Sequence, residues 1–206
     1  MGRASSRAVC RLLTKTVNWS PRPATNADIP ALETLIPLSV RSLQAAHYSA
    51  AQMNAALGPV FGVDRQLIRD GTYFVVEDAG RIIGCGGWSK RKTLYGGDRD
   101  RAGEDAELNP QLDPARIRAF FVHPDWARRG IGRSILLHCE AAALKAGFRQ
   151  AGLVATLAGE PLYARCGYTV VERYEAPMSD GLPAGGANGE VVNWICPVLT
   201  IGALKD

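Results

Sequence analysis

The residues best suited to chemistry concentrate in one run: Phe120, Phe121, Val122, His123, Pro124, Asp125, Trp126, Ala127, Arg128, Arg129, Gly130, Ile131, Gly132, Arg133 and Ser134. An apolar strand leads into a basic turn, and a helix starts at two closely spaced glycines. The first amides of a helix have no partner inside it, and the helix dipole makes that end positive. Glycine lets a bulky anion approach the backbone closely. Arg128, Arg129 and Arg133 surround the spot. The spacing predicts a pyrophosphate cradle running from Arg128 to Ser134, built mostly from main-chain N–H groups. The arginines would add charge-assisted contacts to phosphate. Taken singly, each arginine reads equally well as a solvated surface charge. A basic helix start on a surface turn is the plainer reading of the local pattern.

Two common phosphate motifs do not fit. A Walker loop needs a Gly-Lys-Ser/Thr ending, which is absent. A dinucleotide fingerprint needs a third glycine where Ile135 stands, and an acid about 20 residues on; Ala151, Gly152, Leu153 and Val154 supply none.

The elements around the cradle follow from periodicity and turn residues. A first strand is expected over 16–22, and Thr25, Asn26, Ala27 and Asp28 form a helix-start cluster. The helix after it carries Ile29, Leu32, Leu35 and Ile36, and Pro37 is expected to interrupt it. Further helices are expected over 40–47, 49–57 and 63–69. Residues 73–77 and 81–88 read as a hairpin about Asp78, Ala79 and Gly80. The polar stretch 89–115 reads as a long loop, functional or disordered. A central strand at 116–122 precedes the helix from about Arg129 to Ala146, which stops at Gly147. Then come a strand (151–157), a short helix (160–165), a strand (169–174), a polar loop (177–189) and a last strand (190–199). This order is that of a mixed α/β sheet flanked by helices.

At this point the chain resembles the GCN5-related N-acetyltransferase (GNAT) superfamily. The resemblance rests on three segments in order: Val122-His123-Pro124, Arg129-Gly130-Ile131-Gly132, and Pro161-Leu162-Tyr163-Ala164-Arg165-Cys166-Gly167-Tyr168. Gly130 and Gly132 fit the family's glycine signature, whereas Ala127 replaces its leading Gln or Arg. The resemblance spans residues 17 to 199. It implies a sheet whose fourth and fifth strands splay apart to admit the pantetheine arm. It also implies acetyl transfer from acetyl-coenzyme A to a primary amine, by direct attack in a ternary complex. Carried onto this chain, the exposed strand backbone belongs to Phe120, Phe121 and Val122. The Phe120 N–H would face the thioester carbonyl, where an oriented donor stabilises developing charge. Tyr163 would protonate the departing thiolate, a phenol with an ordinary pKa of about 10 keeping its proton at neutral pH. The position of a glutamate base in some relatives falls on Arg116. Asp98, Asp100, Glu104, Asp105, Glu107, Asp113, Glu77 or a water chain are the alternatives. His123 reads as structural or superficial, His47 with Tyr48 as a weak alternative base, and His138 as an ordinary helical residue. Cys85 and Cys166 read as buried small hydrophobes rather than nucleophiles. The acceptor side is expected from residues 38–70, Trp88 and the 89–115 loop.

Composition sets the outer limits. With 206 residues the chain fits one sizeable core. Its net charge of +4 suits an anionic co-substrate without calling for nucleic acid. Cys10, Cys85, Cys139, Cys166 and Cys196 are scattered without metal-ligand spacing, so no metal and a reduced, cytoplasmic compartment are expected. No stretch is apolar enough to suggest a membrane. Arg3, Arg7, Arg11 and Lys15 mark residues 1–15 as a flexible basic tail ahead of one domain over 16–206. A homodimer through the last strands, a non-catalytic acyl-coenzyme A sensor, an enzyme using another acyl group or a hydroxyl acceptor, and an unrelated nucleotide-binding α/β protein remain open.

Overall fold

Two apolar runs joined by a tight turn set the centre of the sheet. In a computed structural model, described over residues 19–93, 105–177 and 188–196, β2 (Tyr73–Asp78) and β3 (Arg81–Ser89) pair antiparallel, with Val75 opposite Cys85. Ala79 and Gly80 both take positive φ, the geometry that a tight hairpin turn requires. Around this hairpin lie β1 (Arg22–Pro23), β4 (Ala115–Val122), β5 (Ala151–Thr156), β6 (Thr169–Pro177) and β7 (Asn188–Cys196). The seven-stranded sheet has the order β1-β2-β3-β4-β5-β7-β6. The β4–β5 pairing is parallel and all other pairings are antiparallel.

Strand alternation divides the core between the two faces. Phe74, Val76 and Ile83 meet Ile131, Ile135, Leu136 and Cys139 of α4 (Ile131–Lys145) on one face. Tyr73, Val75 and Cys85 meet Leu32, Leu35, Ile36 and Val40 of α1 (Ile29–Leu43) on the other. That second face also receives Met53 and Ala56 of α2 (Ala50–Ala56) and Leu67 and Ile68 of α3 (Arg65–Arg69). A last helix, α5 (Glu160–Arg165), follows β5.

Several expected boundaries are corrected. Pro37 lies inside a continuous α1, so no separate helix begins at residue 40. Proline removes one helical hydrogen bond, but Leu32, Leu35 and Ile36 before it and Ser39 and Val40 after it are all buried on one face. Their burial outweighs the lost bond. The first strand shrinks to Arg22–Pro23 beside Pro21, and residues 16–18 lie outside the described residues. The final pair extends further into the expected loop, to Pro177 and back to Asn188. The tail 1–15 also lies outside the described residues.

Candidate active site

The site starts from an irregularity in β4. Cys85 pairs with Phe121 and Gly87 with Arg118, so Ala119 and Phe120 together face Gly86. Two residues against one is a β-bulge, which bends and twists its strand. Ala119 takes φ +56°, a conformation costing a non-glycine residue roughly 1–2 kcal/mol. Its carbonyl accepts a hydrogen bond from the buried Tyr73 hydroxyl at 3.2 Å. Gly86 makes the bulge possible from the other side: a Cβ there would lie 2.7 Å from the Phe120 ring.

Beyond the bulge the sheet opens. β4 and β5 pair only at Ala115–Ala151 and Arg116–Gly152. The splay expected of these strands is therefore present, and it creates a cleft of about 220 Å³. Ile117 to Val122 form one wall, Val154 to Thr156 the other, and Gly132, Leu162 and Tyr163 close the end nearest α4. The opposite end is lined by Ser39, Leu43, Gln44, Val60, Phe61 and Gly62.

The cradle forms at the start of α4. Gly130 is the N-cap with φ +84°, and no heavy atom lies within 4 Å of where a Cβ would be. The Ser134 N–H donates to the Gly130 carbonyl and closes the first helical turn. The unpaired amides of a helix start are thus those of Gly130, Ile131, Gly132 and Arg133. Ser134 is not among them, and its hydroxyl donates to the Trp19 carbonyl at 2.7 Å. The Trp19 indole in turn donates to the Arg129 carbonyl. Arg128, Arg129 and Arg133 are exposed.

Tyr163 lies at the meeting point of cleft and cradle, only 6% exposed. Its ring meets the rings of Phe120 and Tyr168 edge-on. Burial pushes the phenol well above its ordinary pKa, so the proton is retained across the neutral range. Phe121 points to the other face and packs against Phe61. The Val122 N–H, expected to be exposed, donates to Ser39 Oγ at 3.2 Å.

Other candidates are placed elsewhere. His123 is buried, accepts from the Asp125 N–H, and stacks edge-on against Trp126. Burial and Arg81 lower its pKa. Cys85 accepts from the Tyr73 hydroxyl, and burial pushes its thiol up to about 12; burial also raises Cys166. Both behave as packing groups. Trp88 is core, packed against Phe148, and does not line the cleft. Arg116 is half-buried with Nε unpartnered among the described residues. Glu77 pairs with Arg22, Glu107 with Lys90, and Asp113 accepts from the Asn109 N–H. Asp105 accepts from the Thr93 N–H, and Asp98, Asp100 and Glu104 lie outside the described residues. No carboxylate lines the cleft among the described residues. Ser39 and Gln44 fall within the 38–70 range expected for the acceptor side, though the sequence singled out neither; the Ala119 bulge was missed. Sequence reasoning also missed the buried Arg118–Asp64 ion pair at 2.9 Å, in which Asp64 caps α3 through the Leu67 N–H.

A mixed sheet parted between β4 and β5, above a helix opening on free amides, defines the acyltransferase fold that uses acyl-coenzyme A. The chain belongs to the GCN5-related N-acetyltransferase superfamily; residues 69–170 match the family model "Acetyltransferase (GNAT) domain". Its fold is similar to that of a GCN5-related N-acetyltransferase from Rhodopseudomonas palustris (17% identity, 86% of this chain, 94% of that one, TM-score 0.61). It is also similar to the ribosomal-protein-S18-alanine N-acetyltransferase of Escherichia coli (15% identity, 91% and 99% covered, TM-score 0.52). A third likeness is to the PaiA N-acetyltransferase of Thermoplasma acidophilum in complex with coenzyme A (13% identity, 85% and 97% covered, TM-score 0.53). At these identities the likeness is one of fold. No curated protein matches the chain. Among the described residues no helix is long and apolar enough to cross a membrane.

Proposed function

We propose that the chain transfers an acetyl group from acetyl-coenzyme A to a primary amine by direct attack. The observation that carries this reading is the continuous cleft, which joins the amides of the α4 start to an apolar acceptor end past the Ala119 bulge. The amides of Gly130 to Arg133 hold the pyrophosphate, with Arg128, Arg129 and Arg133 beside it. Phe121 and Val122 form the strand along which the pantetheine lies. The amine lone pair attacks the thioester carbon, and the carbonyl electrons move onto oxygen. The Phe120 N–H stabilises that oxyanion. The carbonyl then re-forms, the C–S bond breaks, and the thiolate takes the Tyr163 proton. The proton lost by the amine nitrogen leaves to solvent, and the Tyr163 phenolate takes a proton back from solvent before the next turnover. No protein carboxylate is assigned as base, because none lines the cleft among the described residues.

That same feature favours a second reading, a sensor that binds acyl-coenzyme A without turnover. A thiol-release assay with acetyl-coenzyme A and a panel of primary amines separates the two. Amine-dependent thiol release is expected; binding without release from any amine would select the sensor. The proposal takes 16–206 as one domain after a basic segment, and places it in the cytoplasm, where the free thiols of Cys85, Cys139, Cys166 and Cys196 would stay reduced. It includes a homodimer through β6 and β7, supported by Val170 and Val171, 44% and 59% exposed on the outer strand.

A further inference from the structure

The acceptor end of the cleft carries a polar group without a partner. Gln44 caps the C-terminus of α1 and is 8% exposed, yet its Oε1 is buried with no hydrogen-bond partner among the described residues. A buried amide left unpaired is costly, and native proteins pair nearly all such groups. Gln44 lines the cleft among Leu43, Val60 and Phe61. The one charged side chain lining the cleft among the described residues is Arg118, and Asp64 balances it. Among the described residues the acceptor end thus offers an amine an unpartnered amide oxygen, apolar walls and no net charge. A polycation would lose its hydration here and meet no compensating carboxylate among the described residues. A single amine on an apolar body would lose little, and desolvation would help it shed its proton before attack.

We infer that Gln44 is the acceptor-binding residue, its amide oxygen accepting from the attacking N–H, and that the acceptor is a monoamine on an apolar or aromatic body. This inference rests on the acetyltransferase reading above. The Gln44→Met variant keeps the side chain's shape and removes the hydrogen-bonding amide.

The test compares phenethylamine and spermidine as acceptors for the unmodified protein and for Gln44→Met, with calorimetric titration of acetyl-coenzyme A on both. The unmodified protein should prefer phenethylamine by 10-fold or more in kcat/KM, an order set by the penalty for burying unpaired charge. Gln44→Met should raise the phenethylamine KM about 10-fold, the order expected for one lost hydrogen bond. Acetyl-coenzyme A affinity should not change, and the melting temperature should not fall, because a merely structural Gln44 would lower it. A preference for spermidine, an unchanged acceptor KM in Gln44→Met, or no turnover of phenethylamine while acetyl-coenzyme A binds would each overturn the inference and leave the co-substrate assignment standing. Failure of acetyl-coenzyme A to bind would remove both. If Gln44→Met does not fold, the two-amine comparison on the unmodified protein decides alone.

Discussion

Burial suits Tyr163 to the acid role proposed for it. An exposed phenol would share its proton with water; this one is enclosed by Phe120, Tyr168 and the end of the cleft. Its raised pKa means that the protonated form survives as pH rises through the ordinary tyrosine range near 10. In the proposed role the acid form is the working form, so kcat should not decline between pH 7 and 10. Tyr163→Phe should lower kcat on the order of 10²-fold, the lower end for a lost general acid. The Michaelis constant for acetyl-coenzyme A should stay nearly unchanged, since in that role the hydroxyl would meet only the departing sulfur. Steady-state kinetics on the two proteins across that pH range checks both statements. Wild-type kcat from Tyr163→Phe would remove the acid role. Tyr163 and Gly130 were legible in the sequence because each sits in a short motif with fixed spacing. Gln44 and Ser39 fell inside the expected acceptor range of 38–70 without being singled out, because nothing local to α1 says which face meets a cleft made by strands some 80 residues away.

Elements are positioned by a few buried charges that periodicity does not show. Asp28 stands before α1 and accepts from Arg22, from the Thr25 N–H and from the Thr25 hydroxyl. Arg22 above all holds its carboxyl down at about 2. A carboxyl lowered on folding stabilises above its unfolded pKa near 4 and loses that contribution as pH falls through its folded value. Asp28→Asn should therefore cost about 1–2 kcal/mol at pH 7, discounted because the Arg22 side chain is 40% exposed. The gap from wild type should close as pH approaches 2, as read from urea unfolding at several pH values. A gap that stayed constant with pH would show that the ion pair is not its source. Arg118 and Asp64 are deeper, at 3% and 1% side-chain exposure. Arg118→Met leaves the Asp64 charge buried beside the cleft and should destabilise by about 3–5 kcal/mol. A lowered urea midpoint would register this; a shift under 1 kcal/mol would mean that water already reaches Asp64. The hairpin, α4 and the order of strands were legible because turn residues and apolar spacing act locally. Continuity of α1 through Pro37 was not, since it is decided by the sheet beneath it. The bulge at Ala119 was hidden for the same reason: alanine carries no sign of positive φ, and only the Tyr73 hydroxyl and the space above Gly86 favour it.

Across the whole molecule, the proposed reaction brings both of its partners to one sheet. Its α4 face presents unpaired amides to an anion, and its α1–α3 face presents an apolar end with Gln44 in it. The two meet only where β4 leaves β5, so both partners of a transfer would reach the same backbone at Phe120. That arrangement suits direct transfer better than a covalent intermediate, and the buried, raised Cys85 thiol agrees with it. The central claim is that the start of α4 and the opened sheet together hold acetyl-coenzyme A. Calorimetric titration of the full chain with acetyl-coenzyme A, coenzyme A and ATP tests it most directly. The account predicts saturable binding of both coenzyme A species at one site per chain and none of ATP. Absence of coenzyme A binding, or equal binding of ATP, would contradict it.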